Sequence, residues 1–480
     1  MPKVTHYKNY INGCFVDADD QRIDVTNPAT GKLLATVPAS KSDTVNTAVD
    51  CAKQAQVNWG RKPAIERAGY LRQIAEKIRE NQQHLARVIT QEQGKVLGLA
   101  QVEVNFTADY LDYMAEWARR IEGDVITSDR ENETIFLQRK PIGVVGGILP
   151  WNFPFFLIAR KLAPALVTGN SIVIKPSEET PINAMEFAKL VDQTDLPAGV
   201  FNLVAGAGEV GAELCHNPDV GMISFTGSVE TGKRIMAACA NNITKVNLEL
   251  GGKAPAIITA KADLALAVKA VYDSRVINTG QVCNCAERVY VEKAVADEFI
   301  SQLTAAMKAT TFGDPLKDES VDMGPLVSRQ GLDKIAAMVD KAKQDGVQVL
   351  CGGAVADVSE GNHYLPTVLL VDNNQASVMQ QEIFGPVIPV MVVDDLDQAL
   401  TYANESDFGL TSSIFSNDAN EIMKACRELK FGETYVNREH FEAMQGFHAG
   451  TRKSGIGGAD GKHGLYEYTE TQVVYWQSHL

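Results

Sequence analysis

From about residue 40 to residue 120, apolar positions recur every three or four residues with charged ones between them. Arg67-Ala68-Gly69-Tyr70-Leu71-Arg72-Gln73-Ile74-Ala75 is an example, and the period predicts a run of amphipathic helices. The texture changes at Ile142. Short runs rich in β-branched residues, at 142–148, 171–174, 200–204 and 221–225, alternate with helical stretches. That is the pattern of βαβ units around a buried parallel sheet, and it predicts a nucleotide-binding lobe. A second αβ series starts near Ala254 and continues past residue 430, with strands expected at 288–291 and 387–393. It predicts a second lobe. Two segments of strand character, 127–139 and 471–476, belong to neither series. Apolar strands left exposed are an association hazard, so these either pack on the chain's own body or pair between subunits.

At 480 residues the chain is too long for one ordinary core, which agrees with two lobes. Charged residues make up 22% and hydrophobic ones 45%, the balance of a soluble globular protein. The formal net charge of −15 argues against nucleic acid or an anionic membrane surface as a general partner, while leaving room for a local basic phosphate pocket. The eight cysteines show no CxxC or Cys/His metal spacing and read as reduced thiols. Residues 1–7 lack the charged and apolar blocks of a signal peptide, and no apolar run reaches the roughly 20 residues of a spanning helix. The expected location is the cytoplasm.

Two stretches carry reactive groups. In Gly280-Gln281-Val282-Cys283 a thiol follows a Gly-Gln turn, a context for a nucleophile, with Cys285 two positions further on. Leu248-Glu249-Leu250-Gly251-Gly252-Lys253 holds one carboxylate in an apolar run, where desolvation is expected to raise its pKa towards neutrality. A thiol that forms a covalent intermediate and a carboxylate that activates water to clear it make a two-step catalyst. Gly206-Ala207-Gly208-Glu209-Val210-Gly211 matches GxGxxG between a strand and a helix, but the next strand ends in Phe225-Thr226-Gly227-Ser228, with no acidic residue for a ribose. Ile174-Lys175-Pro176-Ser177-Glu178 ends another strand. There Glu178 suits ribose hydroxyls and Lys175 suits ribose or phosphate oxygens, the alternative being a solvated Lys/Glu turn. Gly227 and Ser228 open a helix whose free N–H groups suit a pyrophosphate, although a plain Ser N-cap reads the same way.

Together with Pro150-Trp151-Asn152-Phe153-Pro154 and Glu382-Ile383-Phe384-Gly385-Pro386, these motifs resemble the ordered motifs of the NAD(P)-dependent aldehyde dehydrogenase superfamily over nearly the whole chain. Segments 106–120, 151–161, 273–291 and 441–468 resemble the bacterial branch that oxidises lactaldehyde and glycolaldehyde. The resemblance implies an α/β fold with a Rossmann-type cofactor domain at 1–121 and 142–252, an α/β catalytic domain at 253–455, and a small β oligomerisation element at 122–141 and 456–480. It implies that Cys283 attacks the aldehyde carbon, that Asn152 and the Cys283 backbone N–H stabilise the oxyanion, and that Glu249 activates water on the thioester, by a route without a metal. Cys285 receives no step.

The cofactor is expected along Ile148, Pro150, Trp151, Lys175, Ser177, Glu178, Gly208, Gly211, Phe225, Gly227, Ser228, Leu250, Glu382 and Phe384. NAD is expected over NADP, because the Glu178 carboxylate accepts from a 2′-hydroxyl and repels a 2′-phosphate, an argument that Lys175 softens. Arg160, Asn284, Glu442 and His448 are expected to border a small polar substrate, and the hairpin and C-terminal strand to build a homo-oligomer, a tetramer favoured over a dimer. The alternatives are a succinate-semialdehyde dehydrogenase, with Arg160 on the distal carboxylate, and a catalytically silent structural or binding protein on the same fold.

Overall fold

The computed structural model describes residues 4–17 and 21–478. The expected helical run forms four helices, Ser42–Arg61, Ala64–Glu80, Gln82–Gln93 and Leu97–Glu116. In the last of these Ala100, Val104, Ala108 and Leu111 are buried, one stripe of a 3.6-residue period, and they join the large apolar core of this lobe. Helix Phe156–Thr168 is buried at every residue, because it packs against helices Ala64–Glu80 and Leu97–Glu116 and also against the sheet strands beside it.

That sheet has eight strands, in the order Gly455–Ile456, Lys245–Glu249, Val220–Thr226, Val144–Ile148, Ser171–Lys175, Phe201–Leu203, Asn9–Ile11 and Cys14–Val16. Five consecutive ones, from Lys245–Glu249 to Phe201–Leu203, are mutually parallel. The chain builds them outward from Val144–Ile148 in one direction, then crosses back to add Val220–Thr226 and Lys245–Glu249 on the other side. Such a reversal leaves a crevice beyond the carboxyl ends of the two strands where it occurs. Asn152 follows the first of them, Ser228 follows the second, and Glu249 ends the neighbouring strand.

The second lobe has seven strands in the order Gln348–Cys351, Thr367–Leu370, Val387–Val393, Ala286–Glu292, Ala254–Ile258, Thr411–Phe415 and Glu433–Val436. All pair in parallel except the edge strand Gln348–Cys351. Strands Ala254–Ile258, Thr367–Leu370 and Val387–Val393 are almost wholly apolar, since both faces are covered. Val289 and Val291 feed one core cluster and Tyr290 the other.

The two segments that belonged to neither lobe pair with each other. Thr469–Gln477 lies antiparallel to Glu133–Pro141 over its full length, and Asp124–Thr127 extends the sheet. Val473 and Tyr475 stay exposed on one of its faces and Val125 and Trp476 on the other, apolar surface of the kind that marks an association region. Gly455–Ile456, at the junction expected between catalytic domain and oligomerisation element, instead adds an antiparallel edge to the first sheet, with Glu249 opposite Gly455. Among the described residues no helix is long and apolar enough to cross a membrane.

Leu162 is fully buried in helix Phe156–Thr168. Leu162→Ala should cost about 2–5 kcal/mol of stability through the cavity it leaves; its denaturation midpoint, compared with the parent chain at matched scan rate, is expected to fall clearly.

Candidate active site

The loop that precedes strand Ala286–Glu292 has an unusual backbone. Asn278, Thr279 and Gly280 have φ of 49°, 59° and 73°, a left-handed region that costs a non-glycine residue about 1–3 kcal/mol and is least expected for β-branched Thr. Side chains hold it there. Thr279 Oγ1 donates to the Gly324 carbonyl at 3.0 Å, Gln281 Nε2 donates to the Asn278 carbonyl at 2.9 Å, and the Val327 N–H donates to Gln281 Oε1 at 3.0 Å. A side chain at Gly280 would meet the Gly385 carbonyl oxygen at 2.2 Å, so the Gly-Gln turn of the motif has a steric reason. The loop leaves Cys283 half-buried on the wall of a cavity of about 260 Å³. Cys285 is buried instead. Its thiol donates to the Val282 carbonyl at 3.1 Å, and burial pushes its pKa up to about 12.

Asn152, on the same cavity wall, is held by a pair of residues that the motifs did not reveal. Glu103 accepts the backbone N–H groups of Phe155 and Phe156 at 2.9 and 3.1 Å and pairs with Lys95 at 2.6 Å, both side chains being fully buried. Lys95 also donates to the Asn152 carbonyl at 2.7 Å. Asn152 Nδ2 donates one proton to the Gln281 carbonyl at 3.0 Å, which orients the amide and leaves its second N–H for a ligand. A Lys and a Glu eight positions apart carry no sequence signal for this role.

Glu249 is buried at the end of its strand. Its Oε2 accepts from Thr226 Oγ1 at 3.2 Å and lies 3.8 Å from Arg160 Nη1. Burial pushes the carboxyl up, but the charges of Arg160, Lys161 and His448 outweigh it and hold the group below its ordinary value. This corrects the expectation of a raised pKa. The apolar flanks of Glu249 are visible in the chain, whereas the cations come from other elements. Arg160 Nε donates to Asp460 Oδ1 at 3.0 Å, and its Nη2 donates to the second Asp460 oxygen and to Glu442 Oε1, the latter at 3.2 Å. Asn284 Nδ2 donates to the other Glu442 oxygen.

Of the four residues expected to border the substrate, Arg160, Asn284 and Glu442 therefore form one network on the cavity wall. His448 is not on the wall of that cavity. It is buried, with Nδ1 2.5 Å from Glu433 Oε1 and a hydrogen bond to the Cys283 thiol. Burial and Arg160 oppose its charge, yet Glu442, Cys283 and Glu433 together raise its pKa well above the usual value. Burial pushes the Cys283 thiol up, opposed by the hydrogen bond and charge of His448.

The paired glycines after Leu250 permit two close approaches. A Cβ on Gly251 would lie 2.5 Å from Glu382 Oε2, and one on Gly252 would lie 2.7 Å from the Cys283 carbonyl oxygen. Glu382 Oε1 accepts the Gly252 N–H at 2.8 Å, and burial, helped by the charge of Glu287, pushes its pKa up to about 7. The Trp151 and Phe384 rings meet edge to face with centroids 5.4 Å apart. Glu287 sets this segment by accepting the N–H groups of Ile383 and Phe384 at 3.0 and 3.1 Å. Burial would raise the Glu287 pKa, but Lys253 and Arg275, each 2.8 Å away, bring it to about 2.

Pro150, Trp151, Gly227, Ser228, Leu250, Glu382 and Phe384 line the cavity, while Ile148, Lys175, Ser177, Glu178, Gly208, Gly211 and Phe225 do not. Most of the latter sit at or just beyond the ends of first-sheet strands. Both plain local readings are realised there: Lys175 pairs with Glu178 at 2.8 Å, and Ser228 caps helix Val229–Cys239. Helix Gly208–His216 opens at Gly208, and a Cβ on Gly211 would lie 3.5 Å from Ile148 Cδ1.

The profile of the Aldehyde dehydrogenase family matches residues 15–474. The chain belongs to the aldehyde dehydrogenase family. It is 57% identical to the lactaldehyde dehydrogenase of Escherichia coli (strain K12) over 471 residues, 98% of each chain. The crystal structure of lactaldehyde dehydrogenase from Escherichia coli matches with a TM-score of 0.98 at 56% identity, covering 99% of this chain and 100% of that one. A betaine aldehyde dehydrogenase from Staphylococcus aureus, solved in complex with NAD+, matches with a TM-score of 0.95 at 34% identity, covering 98% and 94%. The protein is therefore an oxidoreductase of an aldehyde, of a family that uses NAD(P).

Two outcomes follow for the buried charges. Glu103→Gln strands the Lys95 ammonium and should cost about 3–5 kcal/mol, seen as a lower denaturation midpoint together with a fall in kcat as the Asn152 loop loosens. Lys161→Met removes one of the cations that depress Glu249, so the acid limb of the kcat–pH profile should move to higher pH; a limb that stays in place refutes this.

Proposed function

We propose that the protein oxidises a short hydroxyaldehyde such as lactaldehyde or glycolaldehyde to its carboxylate, irreversibly, with NAD as hydride acceptor. The observation that carries this reading is one cavity whose wall holds Cys283, Asn152 and Glu249 beside the polar Arg160, Glu442 and Asn284 network. The similarity to the lactaldehyde dehydrogenase supports it. A polar wall suits a hydroxyl better than an alkyl chain. Succinate semialdehyde fits less well, because the Arg160 charge already faces the carboxylates of Asp460, Glu442 and Glu249.

The Cys283 thiolate, the form that the charge of His448 favours, adds to the aldehyde carbon, and the oxyanion that forms is met by the second N–H of Asn152 Nδ2 and the Cys283 backbone N–H. Trp151, Phe384 and Glu382 fit a nicotinamide riboside. The glycine at 251 leaves room for the Glu382 carboxylate, and its partly protonated state suits hydrogen bonds to ribose hydroxyls. Gly227 and Ser228, at the start of an eleven-residue helix, fit the pyrophosphate. Pro150 and Leu250 form apolar wall nearby, and Ile148, Ser177, Gly208, Gly211 and Phe225 support the adenosine half. When bound, the dinucleotide accepts the hydride that leaves as the adduct collapses to a thioester on Cys283. Glu249, kept ionised by Arg160, Lys161 and His448, takes a proton from water, which attacks the thioester and frees the acid. Hydrolysis of the thioester to a carboxylate drives the sequence one way.

NAD is favoured because the Glu178 carboxylate, whose pKa Lys175 lowers against the effect of burial, repels a 2′-phosphate, and Lys175 is itself engaged by Glu178. Residues 1–121 with 142–252, 253–455, and 122–141 with 456–480 are read as cofactor, catalytic and oligomerisation units. The exposed apolar residues Val473, Tyr475 and Trp476 support a homotetramer, and the free cysteines support a cytoplasmic setting.

Formation of NADH across lactaldehyde, glycolaldehyde, succinate semialdehyde, betaine aldehyde and a longer alkanal tests the reading, with the two hydroxyaldehydes expected to show the highest kcat/KM. Equal or better efficiency with NADP refutes the cofactor choice. Cys283→Ala should abolish turnover. Glu249→Gln should retain one burst of NADH per site and slow the steady state about 10²–10⁴-fold.

A further inference from the structure

His440 stands on the cavity wall two residues before Glu442, is 6% exposed, and has no part in the steps above. Its Nδ1 lies 2.7 Å from the Asn284 carbonyl oxygen. A carbonyl only accepts, so Nδ1 carries the proton and donates it. Thr411 Oγ1, 3.5 Å from that nitrogen, turns its own proton to the same carbonyl at 2.9 Å and leaves the assignment intact. The ring stacks on Tyr435 with centroids 5.3 Å apart and planes 15° apart, which holds its orientation. Burial lowers its pKa to about 4, so the imidazole is neutral and Nε2 is a bare lone pair. That nitrogen is buried without a hydrogen-bond partner. A buried acceptor without a partner is costly in the folded state and is normally matched by a donor.

The neighbouring polar groups are largely engaged with one another. Arg160 and Asn284 direct their donors to carboxylates, and each Glu442 oxygen already accepts one. Of these four residues, His440 has a buried side-chain nitrogen, Nε2, with no hydrogen-bond partner at all. We propose that it accepts the hydrogen bond of the substrate's hydroxyl group and so selects hydroxyaldehydes over aldehydes of the same skeleton without one. The proposal rests on the substrate reading given above and deepens it. Because Nδ1 is tied to Asn284, the residue after Cys283, the acceptor is held in register with the nucleophile. An aldehyde without the hydroxyl leaves Nε2 unpaired, and a distal carboxylate would set lone pair against lone pair.

The test compares glycolaldehyde with acetaldehyde, and lactaldehyde with propanal, in the wild-type enzyme and in His440→Phe and His440→Gln. In His440→Phe the ratio of kcat/KM for hydroxylated over plain aldehyde should fall about five- to tenfold, carried by KM. His440→Gln, whose amide oxygen can take the place of Nε2, should recover part of it. An unchanged ratio overturns the proposal. A crystal structure of the Cys283→Ala enzyme with glycolaldehyde gives a readout free of any folding defect at position 440. The hydroxyl oxygen is expected about 3 Å from Nε2, and a hydroxyl bound elsewhere overturns the assignment. Wild-type enzyme that oxidises neither hydroxyaldehyde overturns the substrate reading and this inference together, whereas an unchanged ratio in active enzyme overturns this one alone.

Discussion

The Arg160 guanidinium is buried against Asp460 and Glu442, with Glu249 3.8 Å away, and these three carboxylates come from distant parts of the chain. Taking a guanidinium out of water is expensive, and the expense is recovered only when its donors are met in good geometry. The arrangement therefore works as a registration device. Helix Phe156–Thr168 of the first lobe, the end of strand Lys245–Glu249 and the C-terminal segment must all arrive together, or a charge is left stranded. Through Glu442 the network reaches Asn284, next to Cys283. Through Glu249 it keeps a carboxylate on the cavity wall ionised in surroundings that alone would protonate it.

The two lobes position their working loops by one shared device. A buried glutamate accepts two successive backbone N–H groups and is neutralised by a buried lysine. Glu103 with Lys95 does this for Phe155 and Phe156, and Lys95 adds a bond to the Asn152 carbonyl. Glu287 with Lys253 does it for Ile383 and Phe384, beside Glu382. An ionised carboxylate makes stronger hydrogen bonds to amides than a neutral acceptor would. Loops held this way keep their shape without the regular ladder of a helix or sheet, and the left-handed turn at Asn278 to Gly280 can persist between them.

The lobe pattern, the helical run and the two strand segments outside the lobes were legible because each rests on local hydrophobic period, which the fold obeys. Cys283, Glu249 and Asn152 stood out because they sit in motifs with unusual local composition, and the fold brings all three onto one cavity wall. Three features were not legible. The depressed pKa of Glu249, the placement of His448 against Glu433 and Cys283, and the open acceptor on His440 each depend on neighbours supplied by other strands or by segments far along the chain. Lys95 and Glu103 escaped notice for the same reason, since their signal lies in burial and pairing and neither is a property of a short stretch.

The order of residues alone determined which segments are helix and strand, that two α/β lobes form, and which thiol and carboxylate stand out as candidates for the chemistry, because short-range period and motif composition carry that information. Tertiary structure alone decided the electrostatic state and orientation of those groups. Asp460 and Arg160 are 300 positions apart and meet only in the fold. The charge on Glu249, the tautomer of His440 and the burial of Cys285 are set by desolvation and by charges that folding brings within a few ångströms, and no local pattern encodes them.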